Sequence, residues 1–134
     1  MDSQPILGLR TVIYRVGDLE RAKDWYRSAL RADPYFDQPF YVGFNVGGFE
    51  LGLDPDPSEG TGAGGSTAYW GVADAGAVHA HLLDLGAREH TPLREVGEGI
   101  KVATVLDPFG NVFGIIENPH FRIEGPALPN PQAP

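Results

Sequence analysis

Few residues in this chain are equipped for chemistry. Cysteine is absent, which removes disulfides, thiolate metal sites and cysteine nucleophiles. The four histidines are His79, His81, His90 and His120. His79 and His81 are two apart and on a helix point in different directions. None of the four follows a zinc spacing such as HExxH. There is no P-loop, no nucleophile-elbow GxSxG and no GxGxxG after a strand, and "GTGAGGS" lacks the lysine and helix that a phosphate site needs. The stretch "DPFGNVFGIIENP" (107–119) carries more information. Asp107, Pro108 and Gly110 suit a type I turn, and an apolar strand follows. Gly114 interrupts it on the face shared by Val112 and Ile116, while Phe113 and Ile115 face the other way. Glycine weakens a strand and leaves a gap. Either a neighbouring backbone or ligand comes close, or a larger functional side chain is missing.

The elements that position such residues show an internal echo. "TVIYRVGDLERAKDWYRSAL" from Thr11 and "TAYWGVADAGAVHAHLLDLG" from Thr67 share one layout, a short strand and then a helix opened by aspartate. Asp18 and Asp74 are placed to accept from free N–H groups at the helix starts. Ala22, Trp25, Tyr26, Ala29 and Leu30 trace one apolar stripe on the first helix, and Ala77, Val78, His81, Leu82 and Leu85 repeat it on the second. Trp25, Tyr26 and Trp70 are expected in the core. Strand-like segments follow each helix: about 40–46 and 49–53 with a Pro-interrupted candidate near 35, then about 89–95, 100–106 and 111–117. Each half reads βαβββ, so the fold class is α+β. One domain over 1–119 is expected, its modules spanning about 7–54 and 66–119. A glycine-rich linker (55–65) joins them, and a proline-rich tail (120–134) follows.

With 134 residues, the chain can bury a core without covalent staples. A formal charge of −8 with scattered Lys and Arg gives no positive footprint for nucleic acid. No apolar run approaches the ~20 residues of a membrane span, and "MDSQPILGLR" does not read as a signal peptide. A cytoplasmic location is expected.

On "VGDLERAKDWYRSAL" (16–30), the repeat and "DPFGNVFGIIENP", the sequence resembles the vicinal oxygen chelate superfamily, which includes glyoxalase I, bleomycin-resistance proteins and extradiol dioxygenases. The resemblance covers nearly all of the chain up to about residue 119. It implies two βαβββ modules whose curved mixed sheets enclose a cavity, commonly in a homodimer. Metal-using members place ligands at positions that match Thr11, Glu50, Thr67 and Gly114 here. Only one of these is a carboxylate, and threonine hydroxyls are weak ligands for catalytic zinc, nickel or iron.

The expected cavity lining is therefore Thr11, Ile13, Glu50, Thr67, Tyr69, Val112, Gly114 and Ile116, with no metal ligand and no cofactor. The resemblance implies a metal-independent binder of a small molecule, like the bleomycin-resistance proteins that sequester a toxic compound. The alternative is a glyoxalase-like lyase or isomerase, or a dioxygenase, with Glu50 as acid or base and a divalent metal as a disfavoured addition. Neither nucleic acid nor membrane is expected as a partner.

Overall fold

The computed structural model describes residues 4–56 and 60–121. The elements run β1 (Ile6–Arg15), α1 (Leu19–Leu30), β2 (Phe36–Gln38), β3 (Tyr41–Val46), β4 (Phe49–Asp54), β5 (Ser66–Val72), α2 (Ala75–Asp84), β6 (Arg88–Gly97), β7 (Ile100–Leu106) and β8 (Val112–Glu117). All eight strands join one mixed sheet in the order β2-β3-β4-β1-β5-β8-β7-β6. The βαβββ repeat is thus realised as two four-stranded halves that meet where β1 pairs antiparallel with β5. Within each half the first strand runs parallel to the last, β1 to β4 and β5 to β8.

Both helices start as their sequence dictates. The Asp18 carboxylate accepts from the Arg21 N–H and the Asp74 carboxylate from the Ala77 N–H, each satisfying an orphan donor of the first turn. Helix α1 packs Leu19, Ala22, Tyr26 and Leu30 against Val42, Phe44 and Leu53. Helix α2 packs Val78 and Leu82, with Ala75, against Val72, Ala103 and Ile115. The apolar stripes are narrower than their periodicity suggests: Trp25 is 63% exposed and Leu85 64%, and Ala29, Ala77 and His81 also face solvent. Trp25 is therefore not a core residue. A sheet this curved is touched by only about one row of side chains per helix, so the flanking rows stay wet. The inward histidine of α2 is His79, whose Nε2 lies 3.5 Å from Glu89 Oε1.

The turn at Asp107 closes with the Gly110 N–H donating to the Asp107 carbonyl at 3.0 Å, while the Asp107 carboxylate accepts from the Phe109 and Asn111 N–H groups. The connection expected to be a plain linker holds a short 3-10 turn at Gly62–Gly64. The next residue, Gly65, accepts the Arg15 N–H at 2.7 Å, which ties the connection to the end of β1. Residues 57–59 and the tail from 122 lie outside the described residues.

Leu53 is fully buried at the α1 side. Leu53→Ala is expected to lower the unfolding free energy by about 2–5 kcal/mol, measured by urea denaturation.

Candidate functional site

With the helices on one face, the other face of the sheet curves around a cavity of about 690 Å³. Strand alternation decides what reaches it. On β3 and β4, Val42, Phe44, Leu51 and Leu53 pack toward α1. Tyr41, Glu50 and Asp54 face the cavity. On β8, Val112 and Ile116 line the cavity while Phe113 and Ile115 pack toward α2. The strand at 41–46, ambiguous by pattern alone, therefore gives its large apolar residues to the helix side.

The register places a row across the four central strands: Glu50 beside Thr11, Thr11 opposite Tyr69, and Tyr69 beside Gly114. Thr11 donates its hydroxyl to Glu50 Oε1 at 3.2 Å, and the Tyr35 hydroxyl donates to Oε2 at 2.7 Å. Three glycines make the room. A side chain on Gly43 would come within 2.7 Å of Glu50 Oε2. One on Gly52 would collide with the Tyr41 hydroxyl. One on Gly114 would meet the Ala68 carbonyl oxygen and the Tyr69 ring, both at 2.8 Å. Gly114 is small because Tyr69 occupies its space.

Of the eight residues expected to line the cavity, Thr11, Ile13, Glu50, Tyr69, Val112 and Ile116 do so. Thr67 and Gly114 do not. Thr67 is 3% exposed, and its hydroxyl accepts from the Arg15 guanidinium at 2.9 Å. The resemblance that suggested its face carries no information about the arginine bonded to it.

Other lining residues were not assigned from the sequence, where Phe40 and Tyr41 stood as alternatives on a strand of unresolved face. Tyr35, Phe36, Phe40 and Tyr41 form an aromatic wall, and Arg15, Asp54, His90 and Arg94 also line the cavity. Gly43 and Gly52, opposite each other on β3 and β4, were the available signal for Tyr35 and Tyr41, since a strand glycine marks a close approach. His90 gave none, because a register irregularity in β6 brings it in.

Burial first, and then the charge of Glu50, holds the Tyr41 proton on well above the ordinary phenol range. Tyr35 is raised in the same direction by desolvation and by its bond to Glu50. As 62% of Tyr35 remains open to solvent, the bond is the firmer cause. A second, shallower depression lies beside the start of α1, lined by Tyr14, Arg21, Trp25 and Tyr26 among others. Asp18, which also lines it, caps α1.

Residues 8–115 match the family model for the Glyoxalase/Bleomycin resistance protein/Dioxygenase superfamily. The chain belongs to that superfamily. Similar solved structures include a Streptomyces coelicolor methylmalonyl-CoA epimerase variant in complex with 2-nitronate-propionyl-CoA (14% identity, TM-score 0.68, covering 85% of this chain and 99% of that one). Methylmalonyl-CoA epimerase from Mycobacterium tuberculosis gives 19% identity and a TM-score of 0.66, over 87% and 91% of the two chains. A glyoxalase/bleomycin resistance protein/dioxygenase superfamily member from Vibrio splendidus 12B01 gives 16% and 0.62, over 82% and 99%. At these identities the likeness is one of fold. No curated protein matches the sequence.

The four positions that correspond to ligands in metal-using superfamily members do not suit a divalent ion. The Thr11 hydroxyl is spent on Glu50, and that of Thr67 faces a guanidinium, whose charge opposes a second cation. Gly114 offers no donor. Among the described residues no group of three or more His, Asp or Glu side chains converges on a metal-sized space.

Two outcomes follow from this packing. Gly114→Ala is expected to destabilise by about 1–3 kcal/mol, because one of the two obstructing atoms is backbone; thermal or urea unfolding measures it. A tyrosine whose folded pKa is raised contributes stability that is whole below the unfolded phenol value, about 10, and is lost as pH rises beyond it. Tyr41→Phe should therefore flatten the fall in stability above that pH, measured by denaturation across an alkaline series.

Proposed function

We propose that this superfamily member is a metal-independent small-molecule binding protein that holds its ligand in the concave cavity, in the manner of bleomycin-resistance proteins that sequester a toxic compound. The observation that carries the reading is the state of Glu50. Both its oxygens already accept hydrogen bonds from the chain's own hydroxyls, an arrangement that suits an anchor for a ligand's donor group. Around it, aromatic rings and a few polar groups line a cavity of a size that suits a small ligand. Thr11, Ile13, Glu50, Tyr69, Val112 and Ile116 would touch the ligand directly. Thr67 would act through Arg15, and Gly114 by leaving room for the Tyr69 ring. We take the protein to act in the cytoplasm as a homodimer, in keeping with the absence of cysteine and with the resemblance.

The enzymatic reading, a lyase, isomerase or dioxygenase using Glu50 as acid or base, is favoured by one observation, a carboxylate in a cavity on a fold shared with epimerases. It requires that Glu50 exchange one of its internal partners for substrate. Turnover that Glu50→Gln abolishes would establish it over the binding reading.

After EDTA treatment, the thermal midpoint of the protein should be unchanged by nickel, zinc, manganese, cobalt or ferrous iron. A site filled at ~100 times its dissociation constant would add about 2.7 kcal/mol, several degrees for a domain of this size, and such a shift would overturn metal independence. A small-molecule screen read by the same midpoint should return compounds whose affinity falls about tenfold or more in Glu50→Ala and Tyr69→Ala. Unchanged affinity in both variants removes the site assignment.

A further inference from the structure

Strand β6 is not regular, and its irregularities fall where it meets the cavity. Between Glu89 and Thr91 it advances two residues while its partner β7 advances one, from Val105 to Thr104. His90 is the extra residue. Between Thr91 and Arg94 it advances three against two on β7, from Thr104 to Val102. Bulges of this kind re-aim side chains and recur beside functional sites. Here Glu89 lies near His79 of α2, whereas His90, Thr91 and Arg94 all line the cavity. Simple alternation would not bring His90 and Thr91 to the same face.

His90 is also held in place. Its Nδ1 lies 2.9 Å from the Thr104 hydroxyl, which is 2.7 Å from the Thr91 hydroxyl. The two threonines lock each other through the backbone: the Thr91 N–H donates to the Thr104 hydroxyl and the Thr104 N–H to that of Thr91. Thr104 is 3% exposed, so the support is buried while the ring borders the cavity. Arg94, one further bulge along, is exposed and has no ion-pair partner among the described residues. The opposite side of the cavity presents Glu50 and Asp54 together with aromatic rings, and its guanidinium, Arg15, is bonded to Thr67; Glu98 of the β6–β7 turn also lines the cavity.

From the two bulges that aim His90 and Arg94 into the cavity, and from the Arg94 guanidinium left without an ion pair among the described residues, we infer that His90 and Arg94 form the wall that receives the acidic end of an aromatic ligand, with Thr104 and Thr91 as positioning residues for the His90 ring. The inference rests on the cavity reading above and adds the ligand class, an aromatic acid. The guanidinium pairs with a carboxylate or sulfonate, the imidazole hydrogen-bonds beside it, and the rings pack against the Tyr35 and Phe40 side.

The probe is anilinonaphthalene sulfonate, an aromatic anion, titrated by fluorescence against the wild type and the variants R94Q, H90Q, T104V, Y69A and K101Q, each checked for an intact thermal transition. Saturable one-to-one binding is expected. R94Q and H90Q should each weaken it about tenfold, as for loss of a hydrogen bond to a charged group. T104V should weaken it less, about threefold, and change the tautomer balance of His90 seen by heteronuclear NMR of the imidazole nitrogens. A Thr104 that only stabilises the sheet would leave that balance unmoved. K101Q, which removes an exposed cation outside the cavity, should bind as the wild type does. If Y69A weakens binding while R94Q and H90Q do not, the donor wall is wrong and the cavity reading survives. If none of the cavity variants, Y69A included, changes binding, both fall. Absence of saturable binding overturns the aromatic-acid assignment.

Discussion

The antiparallel pairing of β1 with β5 is the constraint on which the rest depends. It joins the two βαβββ halves into one sheet, and its register puts Thr11 opposite Tyr69. Because β4 and β8 run parallel beside them, Glu50 and Gly114 fall into the same row. A one-residue slip would turn Thr11 and Tyr69 to the helix face and send apolar core residues into the cavity. That register is held by burial on the helix side, where Leu53, Val42 and Ile115 are sealed from solvent.

Space is divided as strictly as polarity. Gly43, Gly52 and Gly114 lie on the cavity face, and at each an added side chain would strike a neighbour on that face: the Glu50 carboxylate, the Tyr41 hydroxyl or the Tyr69 ring. The strand stability these glycines forgo is exchanged for rings and a carboxylate packed close to the sheet. Polar side chains on the cavity face bond to one another, Thr11 to Glu50 and Arg15 to Thr67. The cavity retains polarity without a metal-sized cluster of ligands among the described residues.

Much of the scaffold was legible in the sequence because it follows from short-range rules. Asp18 and Asp74 cap their helices because a carboxylate at that position satisfies free N–H groups. Asp107, Pro108 and Gly110 make a turn by local preference. The alternation in 112–116 sets Phe113 and Ile115 on the face opposite Val112 and Ile116, and the structure packs them into the core under α2. Trp25 was misread because a helical stripe records periodicity and not how wide a strip of the helix the sheet touches. Thr67 was read as cavity lining because the family resemblance reports a face, whereas the covering Arg15 comes from another strand.

The sequence by itself determined the α+β class, the repeat, the caps, and the face on which Thr11, Tyr69 and Val112 stand, since each rests on neighbours a few residues away or on the family resemblance. Only the tertiary structure decided which groups meet. Glu50 is held by Thr11 and Tyr35, Tyr69 fills the space above Gly114, and a bulge turns His90 into the cavity against Thr104. These contacts depend on strand register and sheet curvature, which arise from packing between residues distant in sequence.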